Sequence, residues 1–166
     1  MTKTQDSSTN EDCVFSLVYN NRVRDVSYTL EEFQKEATTF AFELSIRERA
    51  TVVALHGDLG AGKTTFAQSM ARALGITESV VSPTFLIQKR YSLEGQVFSN
   101  VIHIDAYRLK SAEQLEVLDW EELTNDPSNL ILIEWPENIT DLLAPETKHI
   151  YFEYIDEVTR SISYAQ

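Results

Sequence analysis

The chain has 166 residues, 43% hydrophobic and 24% charged, the balance of a soluble globular protein with room for a sizeable core. Its net charge is −12, and the whole excess falls in one stretch: 13 acids and one lysine from Ser111 to Glu157, 13 acids and 13 bases elsewhere. No apolar run approaches the ~18 residues of a membrane span. The polar start from Met1 to Asp12 has no signal-peptide centre, and the single Cys13 excludes an internal disulfide, so a cytoplasmic location is expected.

Met1 to Asp12 is rich in Ser, Thr and Asn and reads as a disordered tail, with a single domain over 13–166. Val14 to Tyr19 and Val23 to Tyr28 have strand composition around an Asn20-Asn21 turn. Thr29 and Glu32 form a capping box, and Phe33, Ala37, Phe40, Ala41 and Leu44 then recur at helical spacing, predicting a helix to about Ile46. Thr51 to His56 is an apolar strand.

It leads into Gly57-Asp58-Leu59-Gly60-Ala61-Gly62-Lys63-Thr64, the spacing of a phosphate-binding loop. A helix to Leu74 follows, with Gly75 as its C-cap. Glycines let successive backbone N–H groups converge on one concavity, and the helix adds its positive end. Lys63 is placed to reach the β- and γ-phosphates and Thr64 to ligate Mg²⁺. Asp58, Leu59, Gly60, Ala61, Gly62 and Thr65 complete the expected cradle. The absence of an N-K-x-D segment favours ATP over GTP.

Ser82-Pro83-Thr84-Phe85 presents hydroxyls on a stiff turn. Thr84 fits either a γ-phosphate sensor or a plain ST-turn. Leu86 to Tyr91 and Val97 to Ile104 read as a hairpin around Ser92 to Gln96. Strand alternation sets His103, Asp105 and Tyr107 on one face, where His103 and Asp105 suit metal, water or a γ-phosphate. Arg108 suits a phosphate contact or a structural anchor.

Ser111 is placed to cap a helix over Ala112 to Leu118, and Asp119 one over Trp120 to Leu123. Asn129 to Ile133 is a buried strand that delivers Glu134 to its carboxyl end, where ligand sites of α/β sheets gather. Asp105 and Glu134 are the acids expected to hold metal and position water. Trp135 fits either core packing or a partner-facing aromatic. Asn138 to Leu143 reads as a short helix and His149 to Ile155 as a strand. Val158 to Tyr164 is a further strand or a tail. The acidic stretch repels phosphate backbones, which disfavours direct binding of DNA or RNA. It suits a solvated face or a dock for a basic partner.

Four motifs in series, G-D-L-G-A-G-K-T-T from Gly57, S-P-T-F from Ser82, H-x-D-x-Y-R from His103 and E-W at Glu134, resemble the TsaE/YjeE family of small bacterial ATPases over about residues 28 to 155. The resemblance implies ATP and Mg²⁺ as cofactors. It implies a role in forming N6-threonylcarbamoyladenosine at tRNA position 37, with a TsaD–TsaB heterodimer as partner and tRNA met only through that complex. The expected fold is a three-layer α/β P-loop NTPase with a mainly parallel sheet and an antiparallel edge hairpin. Weak hydrolysis by the isolated chain is expected, with Lys63, Asp105 and Glu134 as catalytic residues. A small-molecule kinase and a nucleotide-gated binding module are the competing readings.

Overall fold

Val52-Val53-Ala54-Leu55 and Leu130-Ile131-Leu132-Ile133 have no polar side, so each strand needs cover on both faces. The computed structural model describes residues 26–81, 83, 87–109, 114 and 118–165, and it sets these two runs side by side in parallel. The strands are β1 (Val26–Thr29), β2 (Thr51–His56), β3 (Gln88–Ser92), β4 (Asn100–Asp105), β5 (Asn129–Glu134), β6 (Lys148–Tyr154) and β7 (Thr159–Ala165). They form one sheet in the order β1-β7-β6-β2-β5-β4-β3. The central four, β6, β2, β5 and β4, are parallel, and β3 closes one edge as the expected hairpin. At the other edge β7 and β1 pair antiparallel, so the segment open between strand and tail is a strand.

Alternation divides the core in two. Val53, Leu55, Val101, Leu130, Leu132, Ile150 and Phe152 face α1 (Leu30–Glu43) and α2 (Lys63–Ala73). Val52, Ile102, Ile104, Ile131 and Ile133 face α3 (Trp120–Asn125) and two 3-10 turns, Ala106–Arg108 and Pro136–Leu142. No helix among the described residues is long and apolar enough to cross a membrane.

The local signals hold in part. The capping box forms as expected: the Thr29 amide donates to Glu32 at 2.9 Å and the Glu32 amide to the Thr29 hydroxyl at 3.4 Å. Helix α1 stops at Glu43, short of Ile46, because nothing is buried between Leu44 and Ala50 to hold another turn. Gly75, at φ 92°, closes α2 with the paired bonds Gly75 N to Arg72 O and Ile76 N to Ala71 O.

The second hairpin strand starts at Asn100 and not at Val97. Ser99 donates to Ser128 outside the hairpin, and Phe98 leaves the sheet to enter the core. Asp119 precedes a helix but does not cap it with its side chain, being left-handed at φ 54°. The expected helix over Asn138 to Leu143 is a 3-10 segment starting at Pro136 and broken at Ile139. The predicted strand Val14 to Tyr19 and the Ser111 cap lie outside the described residues.

Candidate nucleotide site

Strand β2 ends at His56, and the chain turns through Gly57, Gly60 and Gly62, all at positive φ (135°, 81° and 110°). A Cβ at Gly57 would strike the Phe152 carbonyl, and one at Gly62 would come 2.9 Å from the Phe33 ring. The loop is thus seated on the core at both ends and free at Gly60, where nothing lies within 4 Å. Helix α2 starts at Lys63 with no side-chain cap, so its first N–H groups are left for an anion.

The parallel register of β4 and β5 pairs Asp105 with Glu134 and brings both acids to the strand ends beside this loop. The Thr64 hydroxyl lies 2.9 and 2.8 Å from the two Glu134 carboxylate oxygens and donates to them. His103 Nε2 sits 2.8 Å from Glu134 Oε1, with the imidazole 1% exposed. Glu134 is therefore gripped from the loop and from β4. Asp105, also buried, accepts from the Tyr107 amide at 3.0 Å.

Lys63 folds back on its own loop. Its ammonium donates to the Gly57 and Asp58 carbonyls at 2.5 and 2.9 Å and stands 3.8 Å over the Trp135 ring. Burial pulls its pKa below the ordinary lysine value, while Glu134, Glu137, Asp105 and Asp58 favour the charged form. Trp135 holds a left-handed backbone at φ 58°, uncommon for a bulky residue, which aims its ring at Lys63.

The cleft encloses about 360 Å³ and is lined by Leu59, Gly60, Gly62, Lys63, Thr64, Thr65, Asp105, Tyr107, Glu134 and Trp135. Eight of these ten are residues the sequence points to for this site; Tyr107 and Trp135 are the additions. Ala61 is buried in the core, and Asp58 offers its backbone carbonyl to Lys63. Arg108 is exposed and does not line the cleft. Thr84 lies outside the described residues.

Tyr107 reaches the cleft by another route than alternation. The strand ends at Asp105, the 3-10 turn swings Tyr107 outward, and its ring packs 5.1 Å from Trp135. One neighbouring group has no counterpart in the sequence reading. His56 Nδ1 lies 2.8 Å from Glu137 and His56 Nε2 2.8 Å from His149 Nδ1, tying the root of the loop to the segment after Trp135. The three residues are far apart in sequence, so no local pattern marks them.

Thr64, Asp105 and Glu134 are hard oxygen donors, the chemistry that magnesium takes. Among the described residues no group of three His, Cys, Asp or Glu closes a metal cage. A magnesium ion held here would share its shell between these oxygens, phosphate and water.

A glycine loop between a buried parallel strand and a helix, with an acid from a neighbouring strand against its threonine, defines a P-loop NTPase fold. Within that class the chain belongs to the TsaE family. Residues 29–162 match the family model described as Threonylcarbamoyl adenosine biosynthesis protein TsaE. The tRNA threonylcarbamoyladenosine biosynthesis protein TsaE of Rickettsia felis is 39% identical over 134 residues, 80% of this chain and 74% of that one. Its Bacillus subtilis namesake is 37% identical over 113 residues, 68% of each chain. The crystal structure of Bacillus subtilis YdiB superposes with a TM-score of 0.66 at 28% identity, covering 87% of this chain and 86% of that one.

Proposed function

We propose that this chain binds and hydrolyses Mg-ATP in the cytoplasm as the TsaE component of tRNA threonylcarbamoyladenosine synthesis, working with a TsaD–TsaB complex. The observation that carries this reading is the Thr64–Glu134–His103 chain at the Lys63 cleft, with Glu134 and His103 buried. It fixes a carboxylate beside Thr64, where it would face the metal-bound phosphates of a loop-bound nucleotide.

ATP entering the cleft gives Lys63 phosphate oxygens in exchange for the Gly57 and Asp58 carbonyls. The free N–H groups of the loop and of α2 take the remaining phosphate charge. Magnesium, when bound, neutralises charge on the phosphate oxygens. Thr64, Glu134 and Asp105 are the groups to hold it, and His103 fixes the direction of the Glu134 carboxylate. Tyr107, Trp135 and Leu59 form a lip at the mouth of the cleft, with Leu59 and Tyr107 exposed.

Contact with tRNA is indirect in this reading. Glu121 and Glu122 stand exposed on α3, and such a surface repels RNA phosphates. The test is ATP turnover by wild type, Lys63→Ala and Glu134→Gln, alone and with TsaD–TsaB. Slow turnover that rises with the partner and is lost in both variants supports the reading. Turnover indifferent to the partner, or retained in Glu134→Gln, defeats it.

A further inference from the structure

At the end of the sheet opposite the phosphate loop, β2 and β6 begin side by side, with Val53 paired to Lys148. A cleft of about 70 Å³ opens there, lined by residues that include Arg47, Arg49, Trp120, Thr147 and Lys148. It has a fifth of the volume of the loop cleft, room for one group rather than a nucleotide.

Its charge runs against the rest of the chain. The net charge is −12, and Lys148 is the sole base between Ser111 and Glu157. Yet three bases line this cleft against one acid, Glu146. Among the described residues neither Arg47 nor Arg49 forms an ion pair, and Arg49 bonds only the Thr124 hydroxyl, at 3.3 Å. Burial and the nearby Arg47 draw the Lys148 pKa down, and Glu43 offsets them in part.

Thr147 also lines the cleft, is 1% exposed, and its hydroxyl has no hydrogen-bond partner. Buried polar groups are normally paired, and like charges gathered at close range repel. An anion in the cleft relieves the repulsion among the three bases.

We propose that this cleft binds a phosphate group, free or as a phosphate monoester, through Arg47, Arg49 and Lys148. The guanidinium forks supply paired donors for a tetrahedral oxyanion, and the lysine supplies a point charge. The site is separate from the nucleotide loop and does not depend on its occupancy.

The chain has two tryptophans: Trp120 lines this cleft and a neighbouring one beside Glu121 and Glu122, Trp135 lines the loop cleft, and the arginine variant below assigns a Trp120 response to this cleft. Nitrogen-15-labelled protein is titrated with inorganic phosphate, and separately with ribose 5-phosphate, at constant ionic strength held with chloride. The two indole N–H signals are followed. The expected result is a saturable shift of Trp120. Saturation at lower concentration by ribose 5-phosphate identifies the monoester as the preferred form, and the reverse identifies free phosphate. The double variant Arg47→Glu/Arg49→Glu changes two exposed side chains, so the fold is kept. It weakens the Trp120 response by at least about tenfold, two charge-assisted contacts being lost, and leaves the Trp135 response as it was. No Trp120 shift, the same shift with chloride alone, or an unchanged response in the double variant overturns the proposal.

Discussion

Among the described residues, one face of the sheet lies under a 14-residue and an 11-residue helix, and the other under a six-residue helix and two 3-10 turns. The first face carries an aromatic knot. Phe66 contacts Phe33 edge-on at 5.7 Å, Phe40 at 6.0 Å and Phe152 at 5.1 Å. The second packs Ala106, Leu123 and Ile139 against the strands, with Trp120, Trp135 and Leu142 only partly buried. The cleft is assembled across this divide. Its loop, Lys63 and Thr64 belong to the thick layer, while Tyr107 and Trp135 hang from the turns of the thin one. The aromatic knot seats the glycine loop, with Phe33 against Gly62 and Phe152 against Gly57, while Tyr107 and Trp135 sit on short segments that rearrange at lower cost.

The contrast breaks first at Phe66. Phe66→Ala opens a cavity among three rings and is expected to cost about 3–5 kcal/mol in urea unfolding. On the thin face, Ile139→Ala removes an equally buried side chain but is expected near the low end for such changes, about 2 kcal/mol, because a 3-10 segment collapses more readily onto the space. Equal losses would abolish the distinction between the layers.

Smaller effects sharpen it. Thr29→Ala removes the capping box of α1 and should cost about 1 kcal/mol by the same measurement. The His149 pKa is lowered from its ordinary 6.5, by burial first and by His56 second. The unfolded imidazole therefore takes up its proton at higher pH than the folded one. This part of the stability is complete above 6.5 and is lost as pH falls toward the lowered folded value. Melting curves from pH 8 to pH 5 should show that decline, and His149→Gln should flatten it.

How much of this is legible in the sequence depends on how local the cause is. The phosphate loop, the capping box, the Gly75 cap and the buried β5 strand are encoded within a few residues, and the structure forms each of them. The pairing of Asp105 with Glu134 follows from two strand ends and one parallel register, which the α/β pattern already implies.

Errors arise where a tertiary partner or a single backbone angle decides. Alternation carries Tyr107 past the end of a strand that stops at Asp105, whose own carboxylate takes the Tyr107 amide and starts a turn. Trp135 covers Lys63 because its backbone is left-handed, which its residue type does not announce. His56, Glu137 and His149 meet only after the sheet is formed. Phe98 is pulled from its strand by the core, a contest no local window contains.

In the proposed function Thr64 and Glu134 hold magnesium for a nucleotide, and Lys63, 3.8 Å from the Trp135 ring, moves to the phosphates. Trp120→Phe leaves Trp135 as the sole indole, and its emission is followed during ATP titration with and without magnesium. The expected result is a saturable change as Lys63 leaves the ring, and ATP affinity at least about tenfold higher with magnesium. This increment is expected to disappear in Thr64→Val and in Glu134→Gln. No saturable change, or the same magnesium increment in both variants, would contradict the proposed function.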